Sequence, residues 1–129
     1  MRMGIILSRI RMDEKRLIAE ANLRDVEVVP LDNKALVFEL EHCHLDMDVV
    51  LERCVDHHRA VYALTILESW EIPTVNSQAV VETYGNRLLT ALVLKEKGVP
   101  TPELRMAFTP DSALDAMEDI GYPVVLKPV

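Results

Sequence analysis

Short apolar runs alternate with longer amphipathic stretches along most of the chain. The runs at residues 3–8, 26–29 and 49–51 are rich in β-branched and aliphatic residues and predict strands, and residues 73–76 add a short fourth one. Pro30 is expected to end the second strand, because proline donates no hydrogen bond to a sheet. Since residues 3–8 are apolar almost throughout, they predict a strand that is buried on both faces.

The amphipathic stretches between these runs predict helices. Asp13 can cap a first helix, and Asp56 precedes a longer helix that ends near Trp70. The apolar positions at helical spacing are Leu17, Ile18 and Ala21 in the first helix and Ala60, Val61, Leu64 and Leu67 in the second. A shorter helix is expected over SQAVVETYG. Strands that alternate with helices predict an α/β fold, a parallel sheet flanked by helices.

The pattern changes after residue 84. NRLLTALVLKEKG predicts a compact helix that Asn86 caps and Gly98 ends, followed by a proline-rich turn and a strand over residues 103–108. The chain is therefore expected to contain two parts, residues 1–84 and residues 85–129.

The second part ends with another helix and another predicted strand. Thr109 is the expected N-cap, Pro110 occupies the first helical position, and Gly121 ends the helix. The closing strand is expected over residues 122–129. Because this second part is short, it is too small to bury a core of its own.

Charge and cysteine content exclude several classes of protein. The formal net charge of −7 argues against nucleic acid as the main partner, which would require a basic face. No apolar run reaches the roughly 18 residues of a membrane span, and the N-terminal run is too short for a secretion signal. With two cysteines, Cys43 and Cys54, and no signal peptide, we expect reduced thiols and a cytoplasmic location.

Residues 32–48 give a weaker pattern: ALVFEL is compatible with a further strand, and EHCHLDMD is typical of a polar connection. The histidines lie close together along the chain: His42 and His44 flank Cys43, and His57 is adjacent to His58. Adjacent or alternate positions without a second matched pair of ligands make a poor zinc site, so we interpret these histidines as surface residues.

Candidate binding residues follow two of the predicted strands. Arg9 and Arg53 lie near strand ends, where open α/β sheets bind ligands, and either can meet a carboxylate substrate or an acidic carrier. A solvated surface charge is the alternative for each. Cys54 lies at the same place, but no base is paired with it, so a catalytic thiol is not expected.

The second part resembles the opening of an ATP-grasp domain. The resemblance rests on NRLLTALVLKEKGVPTPE followed by AFTPDSALDAMEDIGYPVVLKPV. These stretches contain a cation at the start of a helix, a G-V-P-x-P turn, a strand, a helix, and a G-Y-P-V-V-x-K-P strand. The first part resembles the preATP-grasp domain of this superfamily. Within it, SRIRMDEK, LERCVDHHRA and IPTVNSQAVVETYGNRLLT resemble the LysX group of RimK-like ligases.

The resemblance implies a preATP-grasp domain followed by the truncated start of an ATP-grasp domain. ATP-grasp ligases use ATP and Mg²⁺ to form an acylphosphate and then an amide. The LysX group joins α-aminoadipate to the C-terminal glutamate of the carrier protein LysW in lysine biosynthesis. Arg87 and Lys127 match the two cations that contact the ATP phosphates. Where the family often has Asp-Lys, this chain has Asn86-Arg87, and arginine keeps the positive charge.

The resemblance also implies partners, and it leaves alternatives open. An amino acid substrate, an acidic LysW-like carrier and a homo-oligomeric full-length enzyme are implied. The alternatives are a RimK-type glutamate ligase that acts on a protein or cofactor, and an α/β binding module without catalysis. Because the glycine-rich loop and magnesium ligands of the superfamily do not occur before residue 129, we expect an N-terminal fragment that is inactive alone. No catalytic residue and no metal ligand is assigned within it.

Overall fold

Four parallel strands form one sheet in the computed structural model, which describes residues 1–127. The strands are β1 (Arg2–Leu7), β2 (Glu27–Asp32), β3 (Val49–Arg53) and β4 (Thr74–Val75). Their order across the sheet is β2-β1-β3-β4. In this register Ile5 of β1 lies between Pro30 of β2 and Leu51 of β3. The predicted α/β class with a parallel sheet is confirmed.

Three helices accompany this sheet within the compact unit Met1–Gly85. They are α1 (Met12–Asn22), α2 (His57–Ser69) and α3 (Gln78–Gly85). The predicted boundaries of α2 are confirmed, because Asp56 is its N-cap and Trp70 its C-cap. The Asp56 carboxylate accepts a hydrogen bond of 3.0 Å from the backbone N–H of Arg59, one of the donors that a helix start leaves unpaired.

The core lies between the sheet and α2. Its buried cluster consists of Ile6, Leu31, Val50, Ala63, Leu67 and Ile72. A second cluster, formed by Ala60, Leu64 and Val81, packs α2 against α3. A fully buried valine or leucine such as Val50 or Leu67 contributes about 1.5–3 kcal/mol through its removal from water. Because side chains alternate along a strand, the residues that follow Val50 point in turn to opposite faces of the sheet.

One strand prediction in this unit is wrong in detail, and a further strand that the sequence left open is not formed. Pro30 lies inside β2 and does not end it, which is possible because β2 is an edge strand that can lack a hydrogen-bond donor. Residues 35–40 form no strand. Leu36 and Phe38 instead pack from a loop against the core, and the Phe38 ring lies 5.8 Å from the Trp70 ring between centroids.

The start of α1 also differs from the prediction. Its N-cap is Arg11, not Asp13, because the carboxylate of Glu14 accepts a hydrogen bond of 2.9 Å from the Arg11 backbone N–H. Leu17, predicted on the buried face, is 40% exposed. The buried residue of this helix is Glu14, a carboxylate. Polar contacts of Glu14 with Arg53 therefore join helix α1 to the sheet.

The second unit, Asn86–Val129, contains α4 (Arg87–Glu96) and α5 (Pro110–Ile120). The predicted caps are confirmed, since Asn86 and Thr109 each accept backbone N–H hydrogen bonds from the first turn that follows. Gly98, just beyond α4, has a φ of 67°, a conformation that glycine adopts without steric cost.

The two strands predicted in the second unit are not formed among residues 86–127. A strand gains most of its stability from a paired neighbour, and this described part offers residues 103–108 and 122–127 none. Pro128 and Val129, at the end of the predicted closing strand, lie outside the described residues. In the part that the structure covers, none of the helices has the length and apolar character needed to cross a membrane.

Candidate functional site

The candidate site lies where the strand order reverses. From β1 the chain passes through α1 to β2 on one side, whereas β3 and β4 lie on the other side of β1. Open parallel sheets bind ligands at the carboxyl ends of the strands beside such a reversal. In this unit those ends are residues 8–11 after β1 and residues 53–55 at the end of β3, and we call this region the carboxyl edge.

Hydrogen bonds to Ser8, which follows β1, link the ends of three strands at the carboxyl edge. Its hydroxyl oxygen accepts a hydrogen bond of 2.8 Å from the side-chain amide of Asn33, which follows β2. It also accepts one of 3.1 Å from the backbone N–H of Val55, which follows β3. Because the ends of β1, β2 and β3 are joined in this way, the loops that leave them start from fixed positions.

Glu14 brings two arginines together beside these strand ends. Its side chain has no exposed surface. Oε1 accepts hydrogen bonds from Arg11 Nη2 at 2.8 Å and from Arg53 Nη2 at 2.9 Å, and Oε2 accepts one from Arg11 Nε at 3.1 Å. A further bond of 3.2 Å links Arg53 Nε to Oε1. Helix α1 and strand β3 are thus joined by one carboxylate and two guanidinium groups.

The charge state of this cluster follows from its hydrogen bonds. Side-chain hydrogen bonds from Arg11 hold the pKa of the Glu14 carboxyl well below its usual value, although burial acts in the opposite direction. The backbone N–H of Arg11 and the Arg53 guanidinium lower this pKa further. Glu14 is consequently an anion at neutral pH, and it holds two cations in fixed orientations.

A second buried carboxylate, that of Glu52, lies near the end of β3 on the opposite face of the strand from Arg53. Glu52 is 8% exposed, and its carboxylate accepts a short hydrogen bond from the backbone N–H of Cys54. Burial raises the pKa of the Cys54 thiol to about 11, while a hydrogen bond with Asn33 opposes part of the shift. The thiol is therefore protonated at neutral pH, a state in which it is a weak nucleophile.

The two residues predicted to contact ATP phosphates both belong to the second unit. Arg87 is the first residue of α4, and its side chain is exposed. Lys127 is also exposed, and it lies in an irregular segment because the strand predicted around it is not formed among the described residues. Both of these cations are therefore accessible, while their phosphate-binding role stays a prediction.

The other predicted residues have individual surroundings. Arg9 is exposed in the loop after β1, and Arg53 is bound to Glu14 as described. His44 lies 2.8 Å from a Glu39 carboxylate oxygen, and the ring of His57 packs closely against Gly85. Within residues 1–127 no group of three histidine, cysteine or acidic residues has the arrangement needed to hold a metal ion.

Sequence reasoning placed Arg53 at the right strand end but missed Arg11 and Glu14. The signal that was available is the spacing of Arg11 and Glu14, three positions apart at a helix start, which suits a glutamate that turns back onto the N-cap. No local pattern links Glu14 to Arg53, because 39 positions separate them along the chain. Their contact becomes visible only when α1 is folded against β3.

The comparison with protein families decides the affiliation of the first unit. A model of the LysX preATP-grasp domain matches residues 3–83, which is more than half of the chain. The chain belongs to the LysX preATP-grasp domain family. The resemblance inferred from the sequence is confirmed, and the sheet of the first unit is that of a preATP-grasp domain.

Relatives extend this likeness along the whole chain. The α-aminoadipate–LysW ligase LysX of Sulfurisphaera tokodaii is 33% identical over 98% of this chain. The glutamate–LysW ligase ArgX of Sulfolobus acidocaldarius is 31% identical over 99% of it. The alignments cover 46% and 45% of those proteins, so the preATP-grasp chain described here spans about half of their length.

A solved structure gives the same result for the fold. The crystal structure of a RimK domain protein ATP-grasp from Sphaerobacter thermophilus is similar with a TM-score of 0.79 and 25% identity. The similarity covers 95% of this chain and 47% of that one. The preATP-grasp chain thus resembles part of an ATP-grasp protein in its fold as well as in its sequence.

Proposed function

We propose that this chain forms part of an ATP-dependent ligase that joins α-aminoadipate to a LysW carrier protein through an amide bond. The main support is that relatives named LysW ligases align with almost the whole chain, beyond the family match over residues 3–83. In the proposed reaction a phosphoryl group passes from ATP to the C-terminal glutamate of the carrier. The amine of α-aminoadipate then displaces phosphate and forms the amide.

Arg87 and Lys127 are the proposed contacts of this chain with the ATP phosphates. Phosphoryl transfer depends on positioning and on neutralisation of the charge that spreads over the phosphate oxygens. Both side chains are positively charged and exposed, which fits such a role. No described group of residues fits a magnesium ion, so no metal ligand is assigned to residues 1–127.

The proposal includes an organisation and a setting for the protein. Residues 1–84 form the preATP-grasp domain and residues 85–129 open the ATP-grasp domain, a division that the compact units on either side of Gly85 support. The protein is proposed to work in the cytoplasm as a homo-oligomer, with an acidic LysW-like carrier as its partner. The amino acid substrate binds during each reaction cycle and leaves as part of the product.

Glutamate is the second candidate for the transferred amino acid. Two relatives named glutamate–LysW ligases match 99% of this chain at 31% identity, close to the 33% of the first LysX relative. A difference of this size does not separate the two substrates. Both candidates share the same carrier and the same amide-forming chemistry.

Release of ADP tests the reaction and its substrate together. The complete gene product that contains this chain is incubated with ATP, Mg²⁺ and a LysW-like carrier, with α-aminoadipate or glutamate as the second substrate. We expect ADP release to require the carrier, and α-aminoadipate to support faster turnover than glutamate. Faster turnover with glutamate would favour the second candidate. ADP release at the same rate with and without the carrier would contradict both.

Substitution tests the proposed phosphate contacts separately. In Arg87→Ala or Lys127→Ala the dissociation constant for ATP should rise by about tenfold or more, because each change removes a charge-assisted contact to a phosphate. The matched control is Lys97→Ala, a lysine that pairs with Glu96 at 3.4 Å at the opposite end of α4. Isothermal titration calorimetry gives the constants, and ATP affinity that is equal in all variants would refute the assignment.

A further inference from the structure

We propose that Arg11 and Arg53 form an oxyanion-binding site at the carboxyl edge, held in shape by the buried carboxylate of Glu14. The ligand class is a carboxylate or a phosphate group. The site involves neither Arg87 nor Lys127, and the inference does not depend on the proposed ligase reaction. It rests on the geometry, charge and accessibility of the three side chains.

The geometry fixes both guanidinium groups. Arg11 uses Nε and Nη2 to hold both oxygens of Glu14, at 3.1 and 2.8 Å. Arg53 uses Nε and Nη2 on Oε1, at 3.2 and 2.9 Å. Arg53 lies at the end of β3, and Arg11 is the N-cap of α1, the helix that provides Glu14. A ligand would find the two groups already oriented, so less conformational entropy is lost on binding.

The charge of this cluster is opposite to that of other arginine clusters in the protein. Here two guanidinium groups share one carboxylate, which leaves one positive charge in excess. Arg2 pairs with Glu27 and Asp46, and Arg105 pairs with Glu103 and Asp119, so each of those clusters has an excess of negative charge. Among the ion pairs described for residues 1–127, only the Glu14 cluster has an excess of cations. In a chain of net charge −7 this is a local preference for an anion.

The hydrogen bonds to Glu14 leave donors for a ligand. A guanidinium group has five N–H bonds, and the contacts described for Arg11 and Arg53 use two of them on each residue. The Arg11 side chain is 42% exposed and that of Arg53 is 34% exposed, whereas Glu14 is fully buried. An arginine side chain can bind a carboxylate or phosphate group through two parallel N–H···O hydrogen bonds.

The surroundings give a ligand access to Arg53. An open groove of about 700 Å³ runs along α1 and is lined by Arg53 and Arg16, together with apolar positions that include Leu17. Asp13 and Glu20 also line this groove, so it is not uniformly positive. We place the oxyanion at Arg53, because this groove residue shares the Glu14 carboxylate with Arg11.

Nuclear magnetic resonance can test the site with two defined probes. The ¹⁵N-labelled protein is titrated with glutarate and, separately, with inorganic phosphate, at constant ionic strength. We expect saturable shifts of the Arg11 and Arg53 Nε–H signals. A response to glutarate alone identifies a carboxylate ligand, a response to phosphate alone identifies a phosphate ligand, and a response to both identifies a general oxyanion site.

Variants separate this binding from general effects of charge. Arg53→Gln should weaken binding by about tenfold or more, since it removes a charged donor pair. Arg53→Lys keeps the charge but loses the planar guanidinium group, so it too should weaken binding. If Arg53→Gln does not fold, the affinity of Arg53→Lys tests the site. The control is Arg24→Gln, which removes an arginine that pairs with one carboxylate, Glu20, at 2.6 Å.

Three results would overturn the proposal. One is the absence of any saturable shift at Arg11 and Arg53 with both probes, which would leave the cluster a purely structural contact between α1 and β3. Another is binding of equal strength in the parent protein and in folded Arg53→Gln and Arg53→Lys. Equal weakening by Arg24→Gln would likewise show that net charge, and not this pair, governs the response.

Discussion

At the scale of single residues, Glu14 has the most unusual environment in the first unit. It is a fully buried carboxylate in a helix whose other residues are half-buried or exposed. A buried carboxylate without partners would carry a large desolvation penalty, which here is offset by hydrogen bonds from Arg11 and Arg53. The residue therefore links the start of α1 to the end of β3 by electrostatic means.

The lowered pKa of Glu14 predicts a specific loss of stability in acid. The pKa of Glu14 in the folded protein lies below its ordinary value of 4.5. Below about pH 4.5 Glu14 is therefore protonated in the unfolded chain but still ionised in the folded protein. The stabilisation is complete above this pH and is lost as the pH falls toward the folded value. Urea unfolding over a series of pH values should show that the free energy of unfolding falls less steeply in Glu14→Gln than in the parent protein.

A neighbouring carboxylate provides the control for this pH experiment. Glu20 lies on the same helix and pairs with Arg24 at the surface, so Glu20→Gln should keep the acid dependence of the parent protein. The account of Glu14 is wrong if Glu14→Gln and the parent protein lose stability in parallel below about pH 4.5.

Residue-level predictions from the sequence succeeded where the interaction is local. Asn86 and Thr109 cap their helices as expected, because an N-cap contacts only the turn that follows it. Arg53 was expected at a strand end and lies there, but its partner Glu14 was not foreseen. A pairing across 39 positions depends on how α1 folds against β3, and no local pattern encodes it.

At the scale of elements, the sequence predicted helices better than strands. The five helices of residues 1–127 correspond to amphipathic or capped stretches, because helical hydrogen bonds form within the element itself. The strands of the first unit were also found, since their apolar runs pair with one another. The strand predictions at residues 103–108 and 122–129 were made from the same apolar pattern, yet 103–108 and 122–127 form no strand in the described part of the chain.

The contact between α2 and the end of α3 gives a testable prediction for the packing of these elements. A Cβ atom added to Gly85 would lie well inside van der Waals contact of the His57 ring. Gly85→Ala should therefore destabilise the protein by about 1–3 kcal/mol, the usual range for overpacking. Chemical denaturation of the purified variant measures this change in the free energy of unfolding.

A double mutant separates this clash from other effects of the alanine. In a His57→Ala background the ring is absent. Gly85→Ala should then be neutral or stabilising by about 0.5–1 kcal/mol, because alanine has a higher helix propensity than glycine. If Gly85→Ala costs the same in both backgrounds, the close packing of His57 on Gly85 is not its cause.

At the scale of the whole molecule, the two units differ in how their apolar residues are packed. The first unit has a defined core, whereas α4 and α5 in the second unit contain no buried residue. Apolar side chains such as Phe108, at 93% exposure, lie at its surface. The sequence predicted this contrast, since the second part is too short to enclose a core. The α/β class and the family followed from the sequence as well.

The proposed function is the transfer of an amino acid to a LysW-like carrier by the ligase of which this chain forms part, and the mass of the carrier tests this proposal. The complete gene product containing this chain is incubated with ATP, Mg²⁺, α-aminoadipate and the carrier, and intact-protein mass spectrometry follows the carrier. We predict a gain of one α-aminoadipate less one water, located at the C-terminal glutamate and absent without ATP. A carrier whose mass stays unchanged with both α-aminoadipate and glutamate would contradict the claim.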